Sequence, residues 1–467
     1  MGALDNGFFD RIHPSPHYRD LRSLADDKTV LRNPHKGWYW HYIDNGYGRD
    51  NYRAHHDPAD RLRDFPGLNH LYLRFDWGDI EREEGVFDWS YIDAIMEDWS
   101  ADDYRFAFRV CTYEGSAAVP SLLYATPKWV YEAGARYTRC ANGALEPDYG
   151  DPVFLDKLAR FMDEFGRRFD GDPRVELVDI GTFGTWGEGH TAYGTEKTWP
   201  LDVLKAHIDL HAGSFPHKPV LFNDDMVNHR SLTAPMEENQ ALVDYAVSRG
   251  CGARDDSVCV AHYCRTCGYH TLRTPFLFDH FWPQAPVDLE FEHYESVLER
   301  PDDFAGGFPF LDALMRTHAT FAGFHGYPRP WLEQMPYLTE YIANRIGYWY
   351  FLEGILLPPL HEGENQLEFF LHNRGFAPCY TRYEARLRLT DHAGMRHDFA
   401  LPGLDNRLWQ PGSLSRVCVP LILSGLARGA YRLSFGLFEG TRPIELGISR
   451  QYREADGYYD LAQAVVE

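Results

Sequence analysis

The chain has 467 residues, more than one small core organises, so a large domain joined to a smaller one is expected. Its composition, 44% hydrophobic and 25% charged, is that of a globular protein. Asp and Glu outnumber Lys and Arg by 69 to 46, and the formal charge of -23 repels phosphate backbones and anionic lipid, which argues against nucleic acid and membrane surfaces as partners.

Aromatic residues make up 15% of the chain, and several stand in Gly-rich stretches where their faces suit flat, partly apolar ligands such as sugar rings. The first 30 residues hold no apolar run of signal-peptide length, and no run of 18 apolar residues occurs later. A cytoplasmic location is the expectation.

In chain order, runs rich in β-branched and aromatic residues read as strands: "GWYWHY" near Trp38, "HLYLRF", "RFAFRV", "VELVDIG", "PVLFND", a weak one from Arg254 to Tyr263, "PVDLEF" and "ATFAGFHG". Helix-like segments separate them. "DWSYIDAIMEDWSADD" places Tyr91, Ile92, Ile95, Met96 and Trp99 on one face. "DPVFLDKLARFMDEFGRRFDGDP" opens on Asp-Pro, carries Phe154, Leu155, Leu158, Phe161, Met162 and Phe165, and stops at Gly171 before Pro173. About eight strand–helix repeats between residues 30 and 350 predict an α/β fold, a closed (β/α)8 TIM barrel. A doubly wound sheet is the alternative, but its Gly-rich phosphate turn is missing after the first strand.

Beyond "NRIGYWYFLEGILLPP" the pattern changes to short alternating runs spaced by Gly, Pro, Asp and Asn, which predicts a C-terminal antiparallel β-sandwich. The sequence thus divides into an N-terminal extension (1–29), a barrel (30–355) and a β-sandwich (356–467), with Pro358-Pro359 at the boundary. The sandwich reads either as a sugar-binding module or as a structural lid, and a homo-oligomer is compatible with either.

Four of the eight cysteines, Cys251, Cys259, Cys264 and Cys267, fall in "CGARDDSVCVAHYCRTC" beside His262, but their spacing does not form two zinc knuckles. Reduced thiols and no bound metal are expected.

Catalytic groups of a (β/α)8 barrel project from the C-terminal ends of its strands. Two such junctions end in glutamates without a cationic neighbour in sequence: Glu188 in "TFGTWGEGHT", and Glu290 with Glu292 in "PVDLEFEHYES". Two carboxyl groups facing each other across a sugar are the minimum for breaking a glycosidic bond. Trp186 beside Glu188 supplies an apolar wall that raises a carboxyl pKa, which suits an acid. Glu290 and Glu292 share a strand face by period two; Glu290, deeper, suits the nucleophile, and Glu292 suits substrate hydroxyls or a salt bridge, the choice staying open. Further strand-end candidates for substrate contact are Arg74, Asp76 and Trp77, Arg109, His190, Asn223, Asp224 and Asp225, Tyr263, His293 and His325. An Arg or Tyr bonded to the nucleophile would keep it ionised.

The segment "LYLRFDWGDIEREEGVFDWSYIDAIM" resembles the stretch after the second barrel strand of family 42 β-galactosidases and related clan A glycoside hydrolases. Over most of its length, from "NPHKGWYW" through "NRIGYWYFLEG" to "NRGFAPCYTRYEARLRL", the chain looks more like the domain-of-unknown-function family 4832, a barrel followed by a β-sandwich. The clan A resemblance implies a retaining mechanism, with the acid/base at the end of strand four, matching Glu188, and the nucleophile at the end of strand seven, matching Glu290. The clan has Asn directly before its acid/base to hold the 2-hydroxyl; here that residue is Gly187. The resulting expectation is a retaining, exo-acting β-glycosidase on a small β-linked glycoside, galactoside-like by resemblance, without a cofactor. Its rivals are a non-catalytic carbohydrate-binding barrel, and a metal-dependent barrel enzyme using the cysteine cluster or "NDD".

Overall fold

A computed structural model describes residues 15–43, 57, 59–228, 236–258 and 277–467. The chain divides into two compact units, one of Lys36–Ile346 and one that combines the chain before Lys36 with Gly347–Glu467.

In the first unit eight strands close into a barrel. They are β1 (Gly37–Ile43), β2 (Leu68–Asp76), β3 (Arg105–Cys111), β4 (Val175–Asp179), β5 (Val220–Asn223), β6 (Gly252–Val258), β7 (Val287–Phe291) and β8 (Phe321–Phe324). Each pairs in parallel with its successor, and β8 returns to β1 with Phe324 beside Trp40. This is the predicted (β/α)8 architecture, and all eight predicted runs supply a strand. The weak sixth run begins at Gly252, and the part of it beyond Val258 lies outside the described residues.

Side chains of a strand alternate faces, so one row fills the barrel and the other meets the helices. Tyr39, Tyr72, Ala107, Leu177, Leu221 and Phe321 form an apolar layer inside. Two residues further along, on the same face, stand His41, Arg74, Arg109, Asp179 and Asn223, all buried. The barrel therefore changes from apolar to ionic within one side-chain repeat, toward the C-terminal ends of its strands.

Outside, α1 (Ser90–Ser100) packs Trp99 against Trp40 and Tyr42 of β1, and α2 (Pro152–Phe169) packs Phe165 against Phe75 of β2 and Phe108 of β3. The Asp151 carboxylate caps α2 by accepting from the amides of Val153 at 2.9 Å and Phe154 at 3.1 Å, and Pro152 occupies its first turn. The face with Phe154, Leu158, Phe161, Met162, Phe165 and Phe169 is buried, while Leu155 is only half-buried. Phe165 packs against Phe75, Trp89, Phe108 and Phe215 with ring centroids 4.8 to 5.8 Å apart.

The second unit holds two antiparallel sheets. One orders Tyr18–Asp20, β9 (Tyr350–Leu356), β10 (Gly363–Asn373) and β13 (Leu414–Leu423). The other orders β12 (Arg396–Ala400), β11 (Glu384–Thr390), β14 (Gly429–Glu439) and Arg442–Ile444, with β15 (Tyr459–Val466) also on β14. Their inner faces share one core, where Phe369 of the first sheet meets Phe435 of the second.

Two parts of this unit depart from the expected division. Residues 18–20, read as extension, pair antiparallel with β9. Residues 350–356, read as barrel, are a sandwich strand: Pro358-Pro359 interrupt the chain between β9 and β10 of the same sheet, and the units meet in sequence at Gly347. Among the described residues no helix is long and apolar enough to cross a membrane.

Phe165→Ala should lower the stability of the barrel unit by about 3–5 kcal/mol, the range for truncating a buried Phe, read from the midpoint of its denaturation transition in urea.

Candidate active site

Six ionic side chains from four strands meet inside the barrel. Arg109 of β3 binds Asp179 of β4 through Nε at 3.0 Å and Nη2 at 2.8 Å, and its Nη2 also donates to Asp256 of β6. Arg254 of β6 contacts the same two acids, Asp179 at 3.0 Å and Asp256 at 2.7 Å. It also donates to Asp288 and Glu290 of β7, and to the Tyr39 hydroxyl at 2.8 Å. The Tyr72 hydroxyl donates to Asp179 at 2.5 Å, and its ring faces both guanidinium groups, 4.5 Å from that of Arg254 and 5.5 Å from that of Arg109. Both arginines are fully buried. Burial of a charge is costly unless it is paired and hydrogen-bonded, and here each guanidinium is shared among several acceptors.

The two glutamates singled out by sequence sit on this network. Glu290 is buried, its Oε2 accepting from Arg254 and lying 3.3 Å from His41 Nδ1, its Oε1 3.6 Å from His325 Nδ1. Burial alone would raise its pKa, but Arg254 first, then His41 and His325, hold the carboxyl well below its usual value. Glu188 follows β4, 9% exposed, with Oε1 3.6 Å from Arg109 Nη1 and Oε2 3.4 Å from His190 Nε2. Burial foremost, then the charge of Asp256, raises its carboxyl above the usual value, against the opposing pull of His190 and Arg109. Burial likewise pushes Asp288 up to about 7. Arg109 and Arg254, bridged by Asp179 and Asp256, thus link two carboxyl groups shifted in opposite directions.

The loop that carries Glu188 is held by its backbone. Trp186 stands at φ 56, a strained conformation for a bulky residue, and its carbonyl accepts from Cys111 Sγ at 3.0 Å, Arg109 at 3.4 Å and Arg74 at 3.5 Å. Its indole N–H donates to the Glu114 carbonyl at 3.1 Å, and its amide to the Tyr113 carbonyl at 2.9 Å. Gly187 has φ 73, and a Cβ there would lie 2.5 Å from the Gly181 carbonyl oxygen. The backbone packing that places Glu188 leaves no room for a side chain before it.

The other predicted residues divide. Arg109 and Asn223 join the network, Asn223 by donating to Asp256 while its Oδ1 accepts the Asp225 amide at 3.0 Å. Asp225 also acts on the buried His190 through its charge. His190 lies edge-on to Trp186, and His293 stacks on His325 at 3.8 Å. Arg74 pairs with Glu114 at 2.8 Å and donates to the Trp186 carbonyl at 3.5 Å.

Trp77 departs from expectation, and Glu292 takes the salt-bridge alternative. Trp77 starts a helical turn directly after β2, is fully buried among Trp129, Phe154 and Phe161, and donates to Glu81 at 2.7 Å, so it belongs to the helical layer and not to the mouth. Glu292 lies just beyond the end of β7 and pairs with Arg300. Tyr263, His262 and Cys259, Cys264 and Cys267 lie outside the described residues. Cys251 is a buried free thiol.

Sequence reasoning missed His41, Tyr72, Asp179, Arg254, Asp256 and Asp288. A signal was present: "ARDDSV" and "VDLEF" carry a charge at every second position of a predicted strand, the mark of a polar inward row.

No family model matches the sequence, so neither family named on its motifs is matched. No curated protein matches it either. Among solved structures, the chain is similar to endoglycoceramidase II from Rhodococcus sp. in complex with ganglioside GM3, at 13% identity and TM-score 0.41, over 85% of this chain and 99% of that one. It is similar to xylanase 10B from Thermotoga maritima at 12% identity and TM-score 0.38, over 68% and 89% of the two chains. The catalytic domain of β-amylase from Paenibacillus polymyxa gives 11% identity and TM-score 0.39, over 56% and 86%. Likeness at this distance adds nothing to the strand pairing, which defines the barrel by itself.

Gly187→Asn should cost about 1–3 kcal/mol and displace the Glu188 loop, because its Cβ meets backbone that no rotamer can avoid. A lower melting temperature together with a changed near-ultraviolet dichroism from Trp186 would register both effects.

Proposed function

We propose that the chain is a retaining β-glycosidase with Glu188 as acid/base and Glu290 as nucleophile. The observation that carries this reading is the opposite displacement of two carboxyl groups on one ion-pair network, Glu188 toward the protonated form and Glu290 toward the anion.

In the first step the Glu188 carboxyl gives its proton to the glycosidic oxygen as the Glu290 carboxylate attacks the anomeric carbon. The bond to the leaving oxygen breaks, the alcohol departs, and a glycosyl ester forms on Glu290. In the second step the Glu188 carboxylate takes a proton from water, whose oxygen attacks the same carbon. The ester bond breaks, Glu290 leaves as the carboxylate, and the sugar keeps its original configuration. Arg254 is suited to this cycle because its bond to Oε2 favours the anion that attacks and then leaves. Exo action on a small β-linked, galactoside-like substrate is the part of the proposal that rests on resemblance alone. No step calls on a cofactor.

Glu188→Ala should slow hydrolysis of a β-glycoside with a poor leaving group by roughly 10²–10⁴-fold, and azide should restore turnover by forming a β-configured glycosyl azide. Glu290→Gln should abolish turnover. A panel of aryl β- and α-glycosides cleaved by neither wild type nor variants, with a glycan array showing binding, would replace the enzyme with a carbohydrate-binding barrel.

The pH profile follows from the two shifts. The active Glu290 anion is lost as pH falls through its depressed pKa, and the active Glu188 acid is lost as pH rises through its raised one. The kcat/KM profile should therefore be a bell whose acid limb lies below, and whose alkaline limb lies above, the ordinary glutamate range. Arg254→Met should move the acid limb to higher pH; an unmoved limb would remove Arg254 from its assigned role.

A further inference from the structure

His41, Glu290 and His325 come from three neighbouring elements of the barrel wall: His41 near the end of β1, Glu290 on β7, and His325 directly after β8, which pairs with both. One donor atom from each lies within 4.8 Å of the others. His41 Nδ1 is 3.3 Å from Glu290 Oε2, and His325 Nδ1 is 3.6 Å from Oε1. The edge of a tetrahedron of ligands about 2.0–2.1 Å from a zinc ion is about 3.4 Å. Each imidazole thus stands about one such edge from a different oxygen of one carboxylate, so an ion common to all three needs the Glu290 carboxylate to turn or to bind through both oxygens.

We infer that His41, Glu290 and His325 form a binding site for one divalent cation of the zinc class, with its fourth position open to water or a ligand. Two imidazoles and one carboxylate are a donor set for zinc, nickel or cobalt rather than for calcium or magnesium. Arg254 donates to Oε2, the kind of outer hydrogen bond that orients a ligating carboxylate, and His293 stacks on the His325 ring at 3.8 Å.

Cation binding does not depend on the glycosidase reading, whereas its effect on turnover does. An ion on Glu290 occupies the oxygen that would attack the sugar, so the cation is an inhibitor of the proposed reaction and not its cofactor.

The test uses the full chain, stripped with a chelator and titrated with zinc or cobalt chloride in a calorimeter. Wild type should bind one ion per chain, and the cobalt form should show visible bands without a near-ultraviolet thiolate-to-metal band. His325→Gln and His41→Gln should weaken binding at least about tenfold with unchanged far-ultraviolet dichroism. His325 lies nearer the surface, at 10% side-chain exposure, so its variant and the wild-type cobalt spectrum decide the matter even where His41→Gln does not fold. A thiolate band, undiminished binding by His325→Gln, or no binding at millimolar zinc would overturn the site. One ion bound through these histidines by a protein that cleaves no glycoside would uphold the site and remove the glycosidase reading.

Discussion

The structure depends on two guanidinium groups buried inside a closed barrel. Arg109 and Arg254 are each fully buried, and removing a single ion from water costs several kcal/mol even after relaxation. That cost is offset only because β4, β6 and β7 deliver Asp179, Asp256, Asp288 and Glu290 to the same point. None of these partners is supplied by a helix, so barrel closure and charge compensation are a single requirement. The apolar layer of Tyr39, Tyr72, Ala107, Leu177, Leu221 and Phe321 beneath it gives the ions a dry floor. Two of its members do more than fill space: the Tyr72 hydroxyl binds Asp179, and that of Tyr39 binds Arg254.

The same network accounts for the split between the two glutamates. Glu290 meets Arg254 directly, whereas Glu188 meets Arg109 only at 3.6 Å while the charge of Asp256 acts against it. Each unit of pKa difference is about 1.4 kcal/mol of differential interaction, so modest differences in distance to a guanidinium separate an acid from an anion. Asp256 serves both sides, since it neutralises the two arginines and also raises Glu188.

Much of the barrel was legible because its strands are apolar runs separated by amphipathic helices, and periodicity is local information. The start of the sandwich was less so. Pro358 and Pro359 look like a domain boundary, yet two prolines interrupt a chain equally well between adjacent strands of one sheet, and only the pairing of β9 with β10 distinguishes the cases. In the site, Glu188 and Glu290 were legible as carboxylates at strand ends. The partners that set their character were not, because Arg254 reaches Glu290 across a strand pair 36 residues apart in the chain. Trp77 misled for a related reason: an aromatic residue after a strand suggests the barrel mouth, but a helical turn beginning at that residue directs it into the outer layer.

The acid loop shows how a short segment without regular structure can be placed by the barrel beneath it. The Trp186 carbonyl takes donors from Arg74 of β2 and from Arg109 and Cys111 of β3, so the residue two before Glu188 is tied to two strands. Arg74 is in turn held by Glu114, whose backbone carbonyl takes the Trp186 indole, and the loop and the strands brace each other. This tight backbone packing forces glycine at 187. The surroundings of the Glu188 carboxyl are therefore set by groups other than the side chain before it. His190, 3.4 Å from Glu188, and Asp225, whose charge acts on His190, are the polar groups beside that carboxyl.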